Sequence, residues 1–180
     1  MDIFAHGLWT GGLVTAINKK TKKPLRLWPT VFWGVFPDLV AFGPALAFAF
    51  WQRITLGGNF VFPHGPDSES LATSKNPIWL LTSHLYSVTH SLIIFLIILG
   101  LVCLIEKKPI WEMGGWLLHI LIDIPSHSLA FYPTPFLWPV SNFMVNGVSW
   151  GQPWFLVLNY STLFVFYLTL FFIKKKKAKK

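Results

Sequence analysis

Cysteine is nearly missing from this chain: Cys103 stands alone among 180 residues. No disulfide can close within it, and a thiolate-rich metal site is excluded, so any metal must be held by nitrogen and oxygen. Charge is scarce as well, at 12% of residues, and only 7 of the charged groups are acidic. Met1-Asp2-Ile3-Phe4 lacks the positive stretch and small-residue cleavage site of a secretory signal, so the N-terminus is expected to stay in the mature protein. No repeat or linker divides the chain. Residues 1–180 therefore read as a single integral membrane domain, with 174–180 as a basic cytoplasmic tail.

What is abundant explains that assignment: 53% hydrophobic residues, 17% aromatic and a mean hydropathy of +0.53 exceed the usual values of a soluble domain. The formal charge of +8 raises nucleic acid as a partner. The basic residues, however, sit in short blocks at the ends of apolar runs, where loop orientation and anionic lipid account for them. With no reader motif beside the charge, the expected partner is membrane lipid and not nucleic acid.

Five apolar segments follow, roughly 3–17, 28–52, 77–105, 110–131 and 153–173, which predicts an all-α polytopic membrane protein with four or five spanning segments. Asn76 is suited to cap the third and Pro77 to open it. Lysine and arginine cluster at 19–26, at Lys107 and Lys108, and at the C-terminus. These blocks fall on alternate connections, hence on one side, which the positive-inside rule makes cytoplasmic. The N-terminus, the 53–76 connection with Asp67 and Glu69, and the 132–152 connection then lie outside. Trp28 and Trp111 fall near the inner interface, and Trp51, Trp79, Trp138, Trp150 and Trp154 near the outer one. The first segment is short for a span, and the N-terminus moves inside if that segment only dips into the bilayer.

Ionisable groups at hydrocarbon depth are functional-site hypotheses. At 1.5 Å per helical residue, His6 lies about 18 Å from Asn18, Asp38 about 16 Å from Leu27, His90 about 25 Å from Lys107 and Asp123 about 22 Å from Lys108. Four segments thus deliver polar groups to one layer, in the middle to outer third of the core. His119 and Asp123 are spaced i, i+4 and share a helix face, so they can share a partner. That partner is either a divalent metal, for which imidazole and carboxylate suit zinc, manganese or iron, or only the other residue of a hydrogen-bonded pair. Pro37 breaks the backbone ladder beside Asp38, at a depth where irregular backbone must line protein or a cavity.

His84 stands about 120° round the helix from His90, and His127 about 80° from His119 beyond Pro125. Both are carried as further candidate ligands. His64, in Pro63-His64-Gly65-Pro66, reads as solvent-exposed, and Glu112 as a first-turn acid paired with Lys108. The connection Tyr132–Gln152 reads as an interfacial connector, with a lid as the alternative.

Five short motifs occur in a set order: Ala5-His6-Gly7, Gly34-Val35-Phe36-Pro37-Asp38-Leu39, Thr89-His90-Ser91, Leu118-His119-Ile120-Leu121-Ile122-Asp123, and Thr134-Pro135 with Leu137-Trp138-Pro139. In this the chain resembles the YdjM-like membrane-bound metal-dependent hydrolases of bacteria, over most of its first 140 residues. The pattern is also distantly similar to zinc-dependent phospholipase C. The resemblance implies an inner-membrane protein binding one or two divalent ions, zinc foremost, through His6, Asp38, His90, His119 and Asp123. Such a metal would activate water against a phosphoester or ester borne by lipid, with Asp38 or Asp123 as ligand or general base.

Two departures stand out. Val40 replaces the second aspartate of the family's Pro-Asp-x-Asp, with Gly43-Pro44 following, and Leu85-Tyr86 stand where it has a His-Arg pair. The competing expectations are therefore a non-catalytic membrane protein with a structural or degenerate metal site, and a conductor of metal ions or protons. The near-absence of polar residues from the inner half of the segments argues against conduction.

Overall fold

A computed structural model describes residues 1–57, 77–130 and 132–173 of the chain. His64, Asp67, Glu69, Asn76 and the basic tail 174–180 lie outside the described residues. The fold is all-helical. Helix α1 (Ile3–Asn18) begins at Asp2, whose side chain accepts from the Ala5 amide at 3.0 Å. Asn18 exchanges two hydrogen bonds of 2.8 and 2.9 Å with the Leu25 backbone and so pins the turn into α2 (Leu27–Leu56). That helix runs through Pro37 and Pro44 and ends at Gly57, whose φ of 63° is the left-handed conformation a helix stop favours.

The segment expected over 77–105 is not one continuous helix. It is α3 (Pro77–Thr89) and α4 (Leu92–Glu106), bent by 64° at His90-Ser91. No proline or glycine stands at the bend, which is why the sequence conceals it. Tertiary hydrogen bonds hold it: Ser91 Oγ accepts from the Ile94 amide and donates to the Trp138 carbonyl, and the Leu92 amide donates to Phe136 O at 2.9 Å. The connection containing Phe136 and Trp138 thus supplies the hydrogen-bond partners that the broken helix ladder lacks.

A 3₁₀ turn (Trp111–Met113) leads into α5 (Gly114–Ser126), which stops five residues before the expected end at 131. His127 is extended, and the chain at 147–150 donates to the carbonyls of Pro125, Ser126 and His127 at 2.8–3.0 Å. Helix α6 (Pro153–Phe172) closes the fold. It lies along α1 through Trp9 Nε1 to Asn159 Oδ1 (2.9 Å) and Tyr167 OH to Leu8 O (2.8 Å).

Helix α2 is central, packing against α1, α3 and α5. Small residues permit the close crossing: a Cβ on Gly115 would stand 2.2 Å from Thr30 O and 2.8 Å from the Gly34 nitrogen. Beside it, Trp116 is buried with Phe95, Met113 and Ile120, and its ring stacks on Trp33. The outside is apolar, with Leu104, Ile105, Phe171 and Phe172 at 73–82% exposure. Helices α2 and α6 are long and apolar enough to cross a membrane, and the bent α3–α4 pair makes a third span if taken as one. This is fewer than the four or five spans expected, because α1 has 16 residues and α5 only 13.

Candidate metal centre

Polar groups gather in the interior of this apolar bundle. Asp38 comes from α2, His90 from the α3–α4 bend, and His119 and Asp123 from successive turns of α5. Their ligand-capable atoms all lie within 4.8 Å of one another. His90, His119 and Asp123 are fully buried, and Asp38 is the most accessible of the four at 7%.

Local structure positions each of them. Thr89 ties three helices together: its hydroxyl contacts the Leu85 and Pro37 carbonyls at 2.9 and 3.3 Å, and its own carbonyl accepts from Trp116 Nε1 at 2.6 Å. The next residue, His90, is thereby fixed against α2 and α5. Its Nδ1 lies 3.1 Å from Tyr86 O, and the Tyr86 ring stacks on it at 3.8 Å. His119 Nδ1 lies 2.7 Å from Gly34 O, a contact that the Gly34–Gly115 crossing makes possible.

A carbonyl oxygen only accepts, so in each neutral ring Nδ1 carries the proton and Nε2 presents a lone pair. Those two Nε2 atoms stand 3.0 Å apart. Asp123 Oδ2 is 3.3 Å from both and, although buried, has no hydrogen-bond partner. Asp38 Oδ1 is 3.5 Å from His90 Nε2 and 3.7 Å from His119 Nε2. With both rings neutral, lone pairs and carboxylate charge converge here, an arrangement that a cation relieves. In a tetrahedral site with bonds of 2.0–2.1 Å, ligand atoms are separated by about 3.3 Å. The observed spacings, 3.0 to 3.7 Å, bracket that value. The donor set therefore fits a small divalent ion, and its identity is left open by the chemistry of two imidazoles and two carboxylates.

In comparisons with family models, curated proteins and solved structures, none matches this chain. The site must be read from its own geometry.

The other candidates divide. His6 is fully buried, its ring stacked on His119 at 3.6 Å, with Nε2 2.9 Å from Asp123 Oδ1. His127 Nε2 stands 3.5 Å from the same oxygen. These two histidines face the far oxygen of Asp123 and not the cluster on Oδ2. His84 is exposed, with its ring 6.0 Å from that of Trp138, because the regular turns of α3 point it away from His90. Glu112 pairs with Arg26, at 2.8 Å, in place of the expected Lys108. The packing of the 3₁₀ turn against the start of α2 brings the two together, and the guanidinium holds the Glu112 carboxyl below its ordinary range.

Reasoning from the sequence did not find the groups that orient the ligands: the Gly34 and Tyr86 carbonyls, Thr89, and the Met1 amino group, which donates to Asp123 Oδ1. Backbone carbonyls leave no mark in a sequence. Gly34, in the motif around Pro37-Asp38, and Thr89, in the motif around His90, carried a readable signal.

Proposed function

We propose that this chain is a membrane-embedded, metal-dependent hydrolase acting on a phosphoester or ester of a lipid-borne substrate. The observation that carries the reading is the pair of Nε2 atoms, each ring fixed by an Nδ1–carbonyl contact, gathered with two carboxylates in a buried cluster. The motif order shared with the YdjM-like hydrolases supports it. So does an apolar groove of about 590 Å³ between α1, α2 and α5. Its lining includes Thr10 and Gly115, one helical turn from His6 and His119, which gives an acyl chain a place beside the site.

His90, His119 and Asp123 act as the holding ligands, and three protein ligands with a fourth position open is the catalytic form of such a site. A divalent ion held there, zinc foremost, would supply the acidification of water and the polarisation of the scissile group. Asp38, the most accessible carboxylate of the four, is placed to act as the general base that would accept a proton from the attacking water and return it to the leaving oxygen. Tyr86, standing where the family has a basic residue, holds the His90 ring by stacking and through its carbonyl. All five apolar segments lie in a bacterial inner membrane in this reading, α1 and α5 as short elements, with the C-terminus cytoplasmic.

A degenerate, non-catalytic metal site is the second reading, and Val40 in place of an aspartate favours it. Metal analysis of detergent-purified wild type, His119→Ala and Asp123→Ala tests the centre: stoichiometric metal lost in both variants is expected, and none in wild type refutes it. Phosphate or fatty-acid release from a panel of phospholipids and lipid phosphates, abolished by Asp38→Asn, then separates hydrolase from inert site.

A further inference from the structure

The groove beside the centre is apolar along its length and basic at one end. Leu13 and Ile17 on one face of α1 line it together with Leu118 and Leu121 on one face of α5, and Thr21 and Lys23 line the end remote from His6 and His119. We propose that this groove seats an acyl chain of an anionic phospholipid, drawn from the leaflet on the side of the 19–26 basic block, with the lipid phosphate at Lys23. The inference goes beyond the hydrolytic reading and does not depend on it. The head stays at the basic end and only the chain end approaches Thr10 and Gly115, so this lipid walls the centre and is not the molecule cleaved there. A substrate chain enters the groove only in exchange for it.

Length, exposure and charge choose the occupant. From Asn18, where α1 ends, to Thr10 is about 12 Å of helix, close to the half-thickness of about 15 Å that one leaflet contributes to the hydrocarbon core. The rim faces outward, with Ile17 and Leu121 about half exposed and Trp111 at 69%, so in a bilayer a lipid chain lies along it. Which lipid is decided at the head. Within the 19–26 block, Lys19 donates to the Leu170 and Ile173 carbonyls and Arg26 pairs with Glu112. Lys20, Lys22 and Lys23 are exposed, and their side chains have no partner among the described residues. These lysines at the mouth of an apolar groove complement a phosphate, whereas the ammonium of a zwitterionic head would be set against them.

Full-length protein in detergent, stripped of lipid and held in chelator so that the metal centre plays no part, is titrated with phosphatidylglycerol or phosphatidylcholine and read by native mass spectrometry. Wild type is expected to retain phosphatidylglycerol more than about tenfold more tightly than phosphatidylcholine. Lys22→Gln and Lys23→Gln, both at exposed loop positions, are each expected to weaken that binding about fivefold. Gly114 lines the groove, and a Cβ on it meets nothing within 4 Å. Gly114→Phe therefore places a ring in the groove without touching the Gly115 crossing, and should abolish retention while eluting as wild type on size exclusion. Equal affinity for the two lipids, or phosphatidylglycerol binding unchanged in Gly114→Phe or in Lys23→Gln, overturns the proposal. If Gly114→Phe does not fold, the two lysine variants decide it. Because chelator is present throughout, failure here leaves the metal centre untouched, and failure of the metal centre leaves this result standing.

Discussion

Replacing Gly115 by alanine tests whether the α2–α5 crossing sets the metal centre. The added Cβ would stand 2.2 Å from Thr30 O and 2.8 Å from the Gly34 nitrogen, against an ordinary contact of 3.4–4 Å. Both neighbours are backbone atoms, so no side chain can turn aside, and α5 must retreat from α2 by about 1 Å. His119 sits one turn further along α5, and its Nδ1–Gly34 bond would lengthen from 2.7 Å to about 3.7 Å, beyond hydrogen-bonding range. The cost has two parts. Overpacking of this kind destabilises by about 1–3 kcal/mol, and loss of a ligand's orienting partner weakens metal binding about 10- to 100-fold. Chelator-competition titration reads the affinity, and thermal unfolding in detergent reads the stability. Gly114→Ala is the matched control, since a Cβ there meets nothing within 4 Å and alanine is the better helix former. Wild-type affinity in Gly115→Ala, or an equal loss in Gly114→Ala, would refute the proposed link between crossing and centre.

Ser91→Ala removes both the cap of α4 and the bond to the Trp138 carbonyl, and is expected to lower stability by about 1–2 kcal/mol. An unchanged melting temperature would show that the bend does not depend on that hydroxyl. Glu112 titrates below its ordinary value beside Arg26, so the pair adds stability above the unfolded-state pKa and loses it as pH falls through the lower folded one. Arg26 is 70% exposed, which limits the gain to under about 1 kcal/mol. The melting difference between wild type and Glu112→Gln should therefore be small near neutrality and vanish once the pH falls below the lowered folded-state pKa of Glu112; a difference that grows with acidification contradicts the pairing.

Much of the site was legible because burial of charge in hydrocarbon is so unfavourable that it marks function directly. Depth placed His6, Asp38, His90 and Asp123 in one layer, since helical rise converts residue number into height, the i, i+4 spacing added His119, and the family resemblance joined the five as one expected ligand set. Depth says nothing about azimuth between helices, so the split of these groups between the two oxygens of Asp123 stayed invisible. Angular spacing left His84 and His127 as equal candidates, and the structure separates them: regular α3 carries His84 away from His90, whereas the extended chain after Pro125 brings His127 Nε2 to 3.5 Å from Asp123 Oδ1. The α3–α4 bend was hidden because its cause lies in residues 136–138, remote in sequence.

The chain's apolar composition, its lone cysteine and its i, i+4 His-Asp pair settled by themselves that the fold is helical, that it suits a membrane, and that any metal would be met by nitrogen and oxygen. These follow from local chemistry and from the need of every backbone group for an internal partner in lipid. Which nitrogen of each histidine is free, and what faces it, was decided only by tertiary structure. Carbonyls of Gly34 and Tyr86 make that choice, and a backbone oxygen acquires its role from what is folded against it.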